Sequence, residues 1–225
     1  MNKLVLGDGL LGTEIVRQTG WSYISRKKEG IDFLKPDTYV PFLEDYDEVI
    51  NCIAYTTTYD TDKELAWKIN YEGTANLVDI CNQQDKKLTH ISTDYLYTHS
   101  KENASEEDVP VHCENWYGYT KLLADGYVQL KSQNYLLIRG THKQSPFPYE
   151  VAWADQVGNF DYVSVMAGLM IKLINKNADG VYNVGTETKS MYELAKQTKK
   201  TVASSYIMEH ASTPRNVTMN LTKME

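Results

Sequence analysis

Lys3-Leu4-Val5-Leu6-Gly7-Asp8-Gly9-Leu10-Leu11-Gly12 is the stretch that decides how this chain is read. A short apolar run of strand character passes directly into glycines spaced G-x-G-x-x-G, and a helical pattern opens on the last of them, Leu11 to Gln18. In that context each glycine has a task. Gly7 permits the tight turn, Gly9 lets the backbone approach a pyrophosphate, and Gly12 allows helix to pack closely on strand. The helix N-terminus at Leu10 and Leu11 adds N–H donors and a partial positive charge.

Outward from this loop, strand-like and helix-like segments alternate. Trp21 to Ser25 follows; then Glu48 to Ile53 and a helix from Lys63 to Gln84; then Leu88 to Ser92, a helix from Asn115 to Lys131, and Tyr135 to Arg139. Apolar strands alternating with helices predict an α/β protein with a doubly wound parallel sheet of Rossmann type, helices on both faces. After Arg139 the rhythm changes. Gln144 to Tyr149 holds two prolines, Tyr162 to Asn175 reads as a helix, Gly180 to Val184 as a strand and Met191 to Lys200 as a helix. We divide the chain into a dinucleotide-binding domain, 1–142, and a reduced substrate-binding portion, 143–225, some of whose elements return to the core. The latter is expected to cap the carboxyl edge of the sheet, where ligands bind in open α/β folds.

Composition narrows the function classes. The chain has 225 residues and a formal charge of −7, which disfavours nucleic-acid and membrane-surface binding, since both need a positive field. Cys52, Cys81 and Cys113 have no metal-ligand spacing, so neither a disulfide framework nor a metal site is expected. No apolar run reaches the ~20 residues of a membrane span, and the amino terminus has no signal-peptide pattern, so a cytoplasmic protein is expected. The carboxylates Asp60, Asp62 and Glu64 suit the N-terminal end of the helix that follows them.

The second strand ends Ser25-Arg26-Lys27-Lys28, where such folds read the adenosine ribose of a dinucleotide. Cations and a hydroxyl there suit a 2′-phosphate, so NADPH is expected over NADH, with NADH still open; the alternative is a basic turn facing water. Tyr117 and Lys121 lie at i and i+4 near the start of a helix, sharing one face. A lysine ammonium beside a phenol favours the phenolate, and a tyrosine so placed can trade a proton with a carbonyl oxygen as hydride arrives. Thr93, in Ser92-Thr93-Asp94-Tyr95 at the end of a β-rich run, would hold that carbonyl. His90 beside it reads as a satisfied core residue.

Together these segments resemble the extended short-chain dehydrogenases, within the NAD-dependent epimerase/dehydratase superfamily, and among them the dTDP-4-dehydrorhamnose reductases. Asn51-Cys52-Ile53-Ala54-Tyr55-Thr56 is similar to the segment passing under the cofactor, and Asn70-Tyr71-Glu72-Gly73-Thr74-Ala75-Asn76-Leu77 to the family's N-x-x-G-T-x-N-L helix. Ser92-Thr93-Asp94-Tyr95-Leu96-Tyr97 resembles S-T-D-Y-V-F, and Tyr117-Gly118-Tyr119-Thr120-Lys121 matches Y-G-x-[ST]-K. Glu107-Asp108-Val109-Pro110 resembles the acidic approach to the tyrosine, and Gly180-Val181-Tyr182-Asn183-Val184-Gly185 a late G-x-Y-N-V-G strand. The resemblance implies a catalytic triad of Thr93, Tyr117 and Lys121. It places Cys52, Ile53, Ala54, Tyr55 and Ser92 along the cofactor, and Asp32 and Phe33 complete the candidate cofactor set. Asp94, Tyr95, Trp153 and Arg215 are the candidate substrate residues.

The implied activity is NADPH-dependent reduction of a nucleotide-linked 4-keto-6-deoxy sugar. Two other readings stay open: an epimerase or dehydratase with bound NAD, and a non-catalytic regulatory subunit that keeps the cofactor pocket. The departure that motivates the last lies between Arg139 and Asp155, where the family has a longer insertion and this chain has only a short link. Relatives often dimerise through helices, so a homodimer is the assembly the resemblance allows.

Overall fold

Along β1 (Lys3–Leu6), Leu4 and Leu6 point to one side of a sheet and Val5 to the other, and all three are buried. The same alternation holds in β3 (Glu48–Asn51), where Val49 and Ile50 part, and in β5 (Tyr135–Arg139), where Leu137 opposes Leu136 and Ile138. Strands apolar on both faces must be covered on both faces, as in parallel sheets. The computed structural model, which describes residues 1–59, 62–98, 100–108, 113, 115–209 and 211–225, bears this out. Asp60, Val109 and Pro110, named above, lie outside the described residues.

With β2 (Ser22–Ile24), β4 (Lys87–Ile91) and β6 (Gly180–Asn183), the strands form one six-stranded sheet in the order β2-β1-β3-β4-β5-β6, every pairing parallel. One face is covered by α1 (Leu10–Thr19) and α5 (Val163–Asn175). Leu11 and Ile15 of α1 share a core with Met166 and Met170 of α5, each pair at i and i+4. The other face is covered by α3 (Gly73–Gln83) and α4 (Trp116–Lys131), through Leu77, Val78, Cys81 and Val128. Each such aliphatic side chain removed from water contributes about 1.5–3 kcal/mol.

The helix expected over Lys63–Gln84 is not uniform. A first α-turn, α2 (Lys63–Ala66), opens into a π-helical stretch, Trp67–Glu72, before α3 resumes. Widening of this kind sets one residue out of register and commonly sits beside a functional site. The stretch carries the buried Asn70, whose contacts are given below. Gly73 follows, and a Cβ there would stand 2.7 Å from the ring of Phe33, so the glycine is what lets α3 close on that ring.

Beyond β5 the chain first runs antipodal to the regular pattern: α5 and β6 return to the main sheet, and the rest builds a lobe from strands of two or three residues. Val151–Trp153 pairs with Ala203–Ser205, Val157–Gly158 lies between Lys189–Ser190 and Asn216–Val217, and His142–Lys143 pairs with Asp161–Tyr162. The lobe has its own small core, with Phe147, Ala152, Phe160, Tyr162 and residues of α6 (Met191–Thr198). A capping box starts α6: Ser190 accepts from the Glu193 N–H while Glu193 accepts from the Ser190 N–H. Among the described residues no helix is long and apolar enough to cross a membrane, and no cluster of metal-ligating side chains forms.

Candidate active site

Gly7, Gly9, Ser25, Arg26, Lys27, Cys52 to Tyr55 and Ser92 to Tyr95 lie just past the carboxyl end of a sheet strand. The sheet order reverses between β1 and β3, and the glycine loop sits there. Gly7 has φ +99°, and a Cβ on it would meet the Ile53 side chain at 2.9 Å. On Gly12 a Cβ would stand 2.1 Å from the Gly7 carbonyl oxygen, so helix and strand close only on glycine. At Gly9 the same test finds open space. That space lies over the N-terminus of α1, which has no side-chain cap and no acidic residue in its first turn. Bare N–H groups at a helix start suit an anion. The loop therefore fits a dinucleotide's pyrophosphate, with Cys52 and Ile53 as its inner wall. Leu11 is buried in the core, so only its backbone can serve this site, whereas Leu10 is exposed.

The basic turn after β2 divides its labour. Ser25 is buried and its hydroxyl accepts the Lys28 N–H, which spends it on the turn itself. Lys28 is drawn to Glu29, at 2.9 Å, and over the Tyr23 ring. Lys27 reaches toward Asp8 of the glycine loop at 3.9 Å, and Arg26 is exposed with no hydrogen bond or ion pair among the described residues. Lys27 thus borders the loop, with the exposed Arg26 next to it in the chain. Asp32 accepts the Leu34 N–H and pairs with Lys35, while Phe33 packs in the core against Tyr39 and Gly73.

Asn70 ties the site's walls together. Its amide accepts the Tyr55 N–H at 2.7 Å and donates to the Tyr55 carbonyl at 3.0 Å and to the Thr120 hydroxyl at 3.0 Å. The backbone at Ala54 and Tyr55 is thereby fixed to α4 at the residue before Lys121. Asn115 caps α4 by accepting the Gly118 N–H, which sets the first turn carrying Tyr117.

Thr93 lies near enough to Tyr117 to act on the phenol, while its hydroxyl donates to Asp94 Oδ1 at 3.4 Å and accepts the Tyr95 N–H at 3.2 Å; the Tyr95 ring stands edge-on to Tyr117 at 6.0 Å. Burial pushes the phenol up to about 12, with the Thr93 contact working against it and the charges of Asp94 and Asp125 adding to the rise. Lys121 is differently placed from the sequence expectation. Its ammonium end donates to the Ile91 carbonyl at 2.8 Å and lies 3.1 Å from His90 Nε2, and burial pushes it down to about 8 against the pull of Asp125. The expected stabilisation of a Tyr117 phenolate by Lys121 is therefore not seen. The carbonyl at the end of β4 and a buried imidazole hold the end of the lysine, and desolvation leaves the phenol its proton.

Asp94 is fully buried, accepts from Thr141, and has Oδ2 without a partner among the described residues. Burial raises it to about 6, opposed by the Thr141 hydrogen bond and by the charge of Lys143. Ser92 is buried against Asp125, and Asp125 is paired with the equally buried Arg139 at 3.0 Å. The sequence reading passed over Thr141, Lys143 and Asn70. The first two follow the carboxyl end of β5, so the same edge rule that located Thr93 would have found them.

The lobe closes over this cluster. Gln156 donates to the Tyr95 hydroxyl at 3.4 Å, the Tyr59 and Thr213 hydroxyls share a hydrogen bond of 2.6 Å, and Asn115 donates to the Ser212 carbonyl. Trp153 and Arg215 make their contacts within the lobe. Trp153 packs on its small core, and Arg215 is held by Asp155 at 3.5 Å and the Ile207 carbonyl at 2.8 Å.

A doubly wound parallel sheet with a dinucleotide-type glycine loop at its switch point, and a Thr-Tyr pair at the next strand end, defines a nucleotide-binding α/β protein of short-chain dehydrogenase type. The chain belongs to the RmlD substrate binding domain family, whose model matches residues 1–142. It is similar to a dTDP-4-dehydrorhamnose reductase of Mycolicibacterium smegmatis, 28% identical over 173 residues, covering 72% of this chain and 48% of that protein. It is also 27% identical over 210 residues to the spore coat polysaccharide biosynthesis protein SpsK of Bacillus subtilis, covering 83% and 74%. The chain thus spans about half the length of the first of these relatives. Among solved structures, dTDP-4-dehydrorhamnose reductase from Bacillus anthracis in complex with NADP superposes with a TM-score of 0.83 at 22% identity, covering 100% of this chain and 92% of that one.

Proposed function

We propose that the protein is an NADPH-dependent reductase of a nucleotide-linked 4-keto-6-deoxy sugar. The observation that carries the reading is the joining of two half-sites at one sheet edge: a glycine loop with room for a pyrophosphate at Gly9, and a buried Thr93 beside the half-buried Tyr117 one strand away from its wall. The relatives named for keto-sugar reduction and polysaccharide synthesis support the choice of substrate class.

NADPH, when bound, supplies the hydride. Gly7, Gly9 and Gly12 with the start of α1 would hold its pyrophosphate, and Arg26 with Lys27 its 2′-phosphate. Cys52, Ile53, Ala54 and Tyr55 line the path toward Ser92. Tyr117 retains its proton at neutral pH because its pKa is raised, which is the state a donor to a carbonyl oxygen requires. Thr93 orients the substrate oxygen beside that phenol. Residues 143–225 shield the chemistry from water, with Asp94, Tyr95 and the lobe residues Trp153 and Arg215 serving the sugar nucleotide.

The test is loss of NADPH absorbance with dTDP-4-keto-6-deoxyglucose. Tyr117→Phe is expected to lower kcat by about 10²–10⁴-fold, the usual weight of a general acid, with NADPH affinity retained. NADPH binding without turnover on this substrate or on a panel of other nucleotide keto sugars would overturn the reductase reading. It would favour a subunit that only binds cofactor.

A further inference from the structure

Asn51, His90 and Lys121 form a row of side chains that are 1% exposed or less, on β3, β4 and α4. The orientation of the Asn51 amide is decided by its oxygen, which accepts the Ile53 N–H at 3.0 Å. Its NH2 group therefore faces His90 Nδ1, 3.2 Å away, and donates to it. Complete burial, the largest cause, holds His90 well below the ordinary imidazole range, so the ring is neutral. A neutral imidazole accepting at Nδ1 carries its single proton on Nε2. That N–H points at Lys121 Nζ, 3.1 Å away. An ammonium has three donors and no acceptor, so it would set donor against donor there, whereas an amine offers its lone pair.

We propose that His90, oriented by Asn51, donates its Nε2–H to Lys121 and thereby weakens the hold of Lys121 on its own proton in the ligand-free protein. The remaining geometry agrees. One amine hydrogen goes to the Ile91 carbonyl at 2.8 Å, and the other is free to face the site. The groups around Lys121 are accounted for on each side. Asp125, one turn along α4, favours the ammonium, but Arg139 from β5 holds its carboxylate at 3.0 Å and offsets it. Cys52 at the end of β3 is pushed up to about 12 by burial and stays an uncharged thiol. Tyr117, one turn back, has its own pKa raised and is likewise uncharged, and the Asp94 charge acts on that phenol. Desolvation prevails, in the direction that favours the amine. His90 is a positioning residue: it acts through Lys121.

A consequence rests on the cofactor reading above. Docked phosphates bring negative charge to the loop walled by Cys52, which favours the ammonium, so cofactor binding takes up a proton. Free protein labelled with ¹³Cε-lysine and ¹⁵N-histidine tests the proposal directly. The expected result is an Nε2–H tautomer for His90 and a Lys121 signal that titrates about 2 pH units below the other lysines. His90→Gln, which can turn a carbonyl to the lysine, is expected to raise that midpoint toward the other lysines, with burial keeping it below them. A wild-type Nδ1–H tautomer, or a Lys121 signal titrating with the other lysines, overturns the proposal, and neither depends on the variant folding. Calorimetry of NADPH binding at about pH 9, in buffers of different ionisation enthalpy, should then read uptake of close to one proton in the wild type and clearly less in His90→Gln. Absence of NADPH binding would overturn the uptake step and the cofactor reading, while the free-protein spectra would still decide the tautomer.

Discussion

The two ends of the chain solve the same problem, holding polar groups at one edge of a sheet, by opposite means. In the first 142 residues the edge is made by regular elements: strands buried on both faces and helices packed by i, i+4 pairs, so each loop begins where a strand must stop. In the lobe no strand exceeds three residues, and position is fixed by long-range bonds such as Gln156 to Tyr95 and Tyr59 to Thr213, around one small core. Regularity places the cofactor loop; individual contacts place the cover. A site's rigid half and its adaptable half can thus lie on one chain with different energetic footing.

Gly12→Ala breaks the regular half most severely. A Cβ 2.1 Å from a main-chain carbonyl cannot be relieved by a rotamer change, so a loss of about 4 kcal/mol or more is expected in denaturant unfolding, with NADPH binding lost. Leu194→Ala hollows the lobe's core, at a cost of about 2–5 kcal/mol. If the two regions differ as argued, hydrogen exchange will speed up in 144–160 and 186–205 while β1 and β3 to β5 stay protected. Equal loss throughout would show a single cooperative unit.

Asp94 gives a smaller, pH-dependent effect. Its folded pKa is raised from 3.8 to about 6, so the native state holds a proton that the unfolded chain has released. Stability from this group is present below about pH 4 and is lost as pH rises toward 6. Asp94→Asn, neutral throughout, should flatten that decline, a difference of at most about 3 kcal/mol above pH 6. A slope unchanged by the substitution would place the titration elsewhere. The smallest effect on stability belongs to Gly9→Ala, within about 0.5 kcal/mol because the space is open, yet NADPH should bind at least about tenfold more weakly. Unchanged affinity would remove the pyrophosphate from that loop.

The fold was legible where period carried it. Val5 against Leu4 and Leu6, and Leu11 with Ile15, are patterns that the order of residues alone displays. The π-helical stretch at Trp67–Glu72 left no such trace, because an i to i+5 bond asks for no particular residue. Tyr117 and Lys121 were legible as neighbours on a helix, but not the turning of Lys121 toward His90, which depends on a carbonyl from another strand. The pairing of Ser212 and Thr213 with Asn115 and Tyr59 spans some 97 and 154 positions and has no local signature.

The placement of α5 and β6 bears on how the chain comes to be folded as it is made. Val5, Ile15, Ile50 and Ile138 face α5, which begins at residue 163, and β6 adds the last strand only by residue 183. Until those residues have been synthesised, the part of this face that α1 does not cover stays wet and apolar. A nascent chain of 142 residues would therefore be a sticky half-sandwich, dependent on late-arriving sequence to become safe, and non-local closure of this kind is slow and exposed to aggregation.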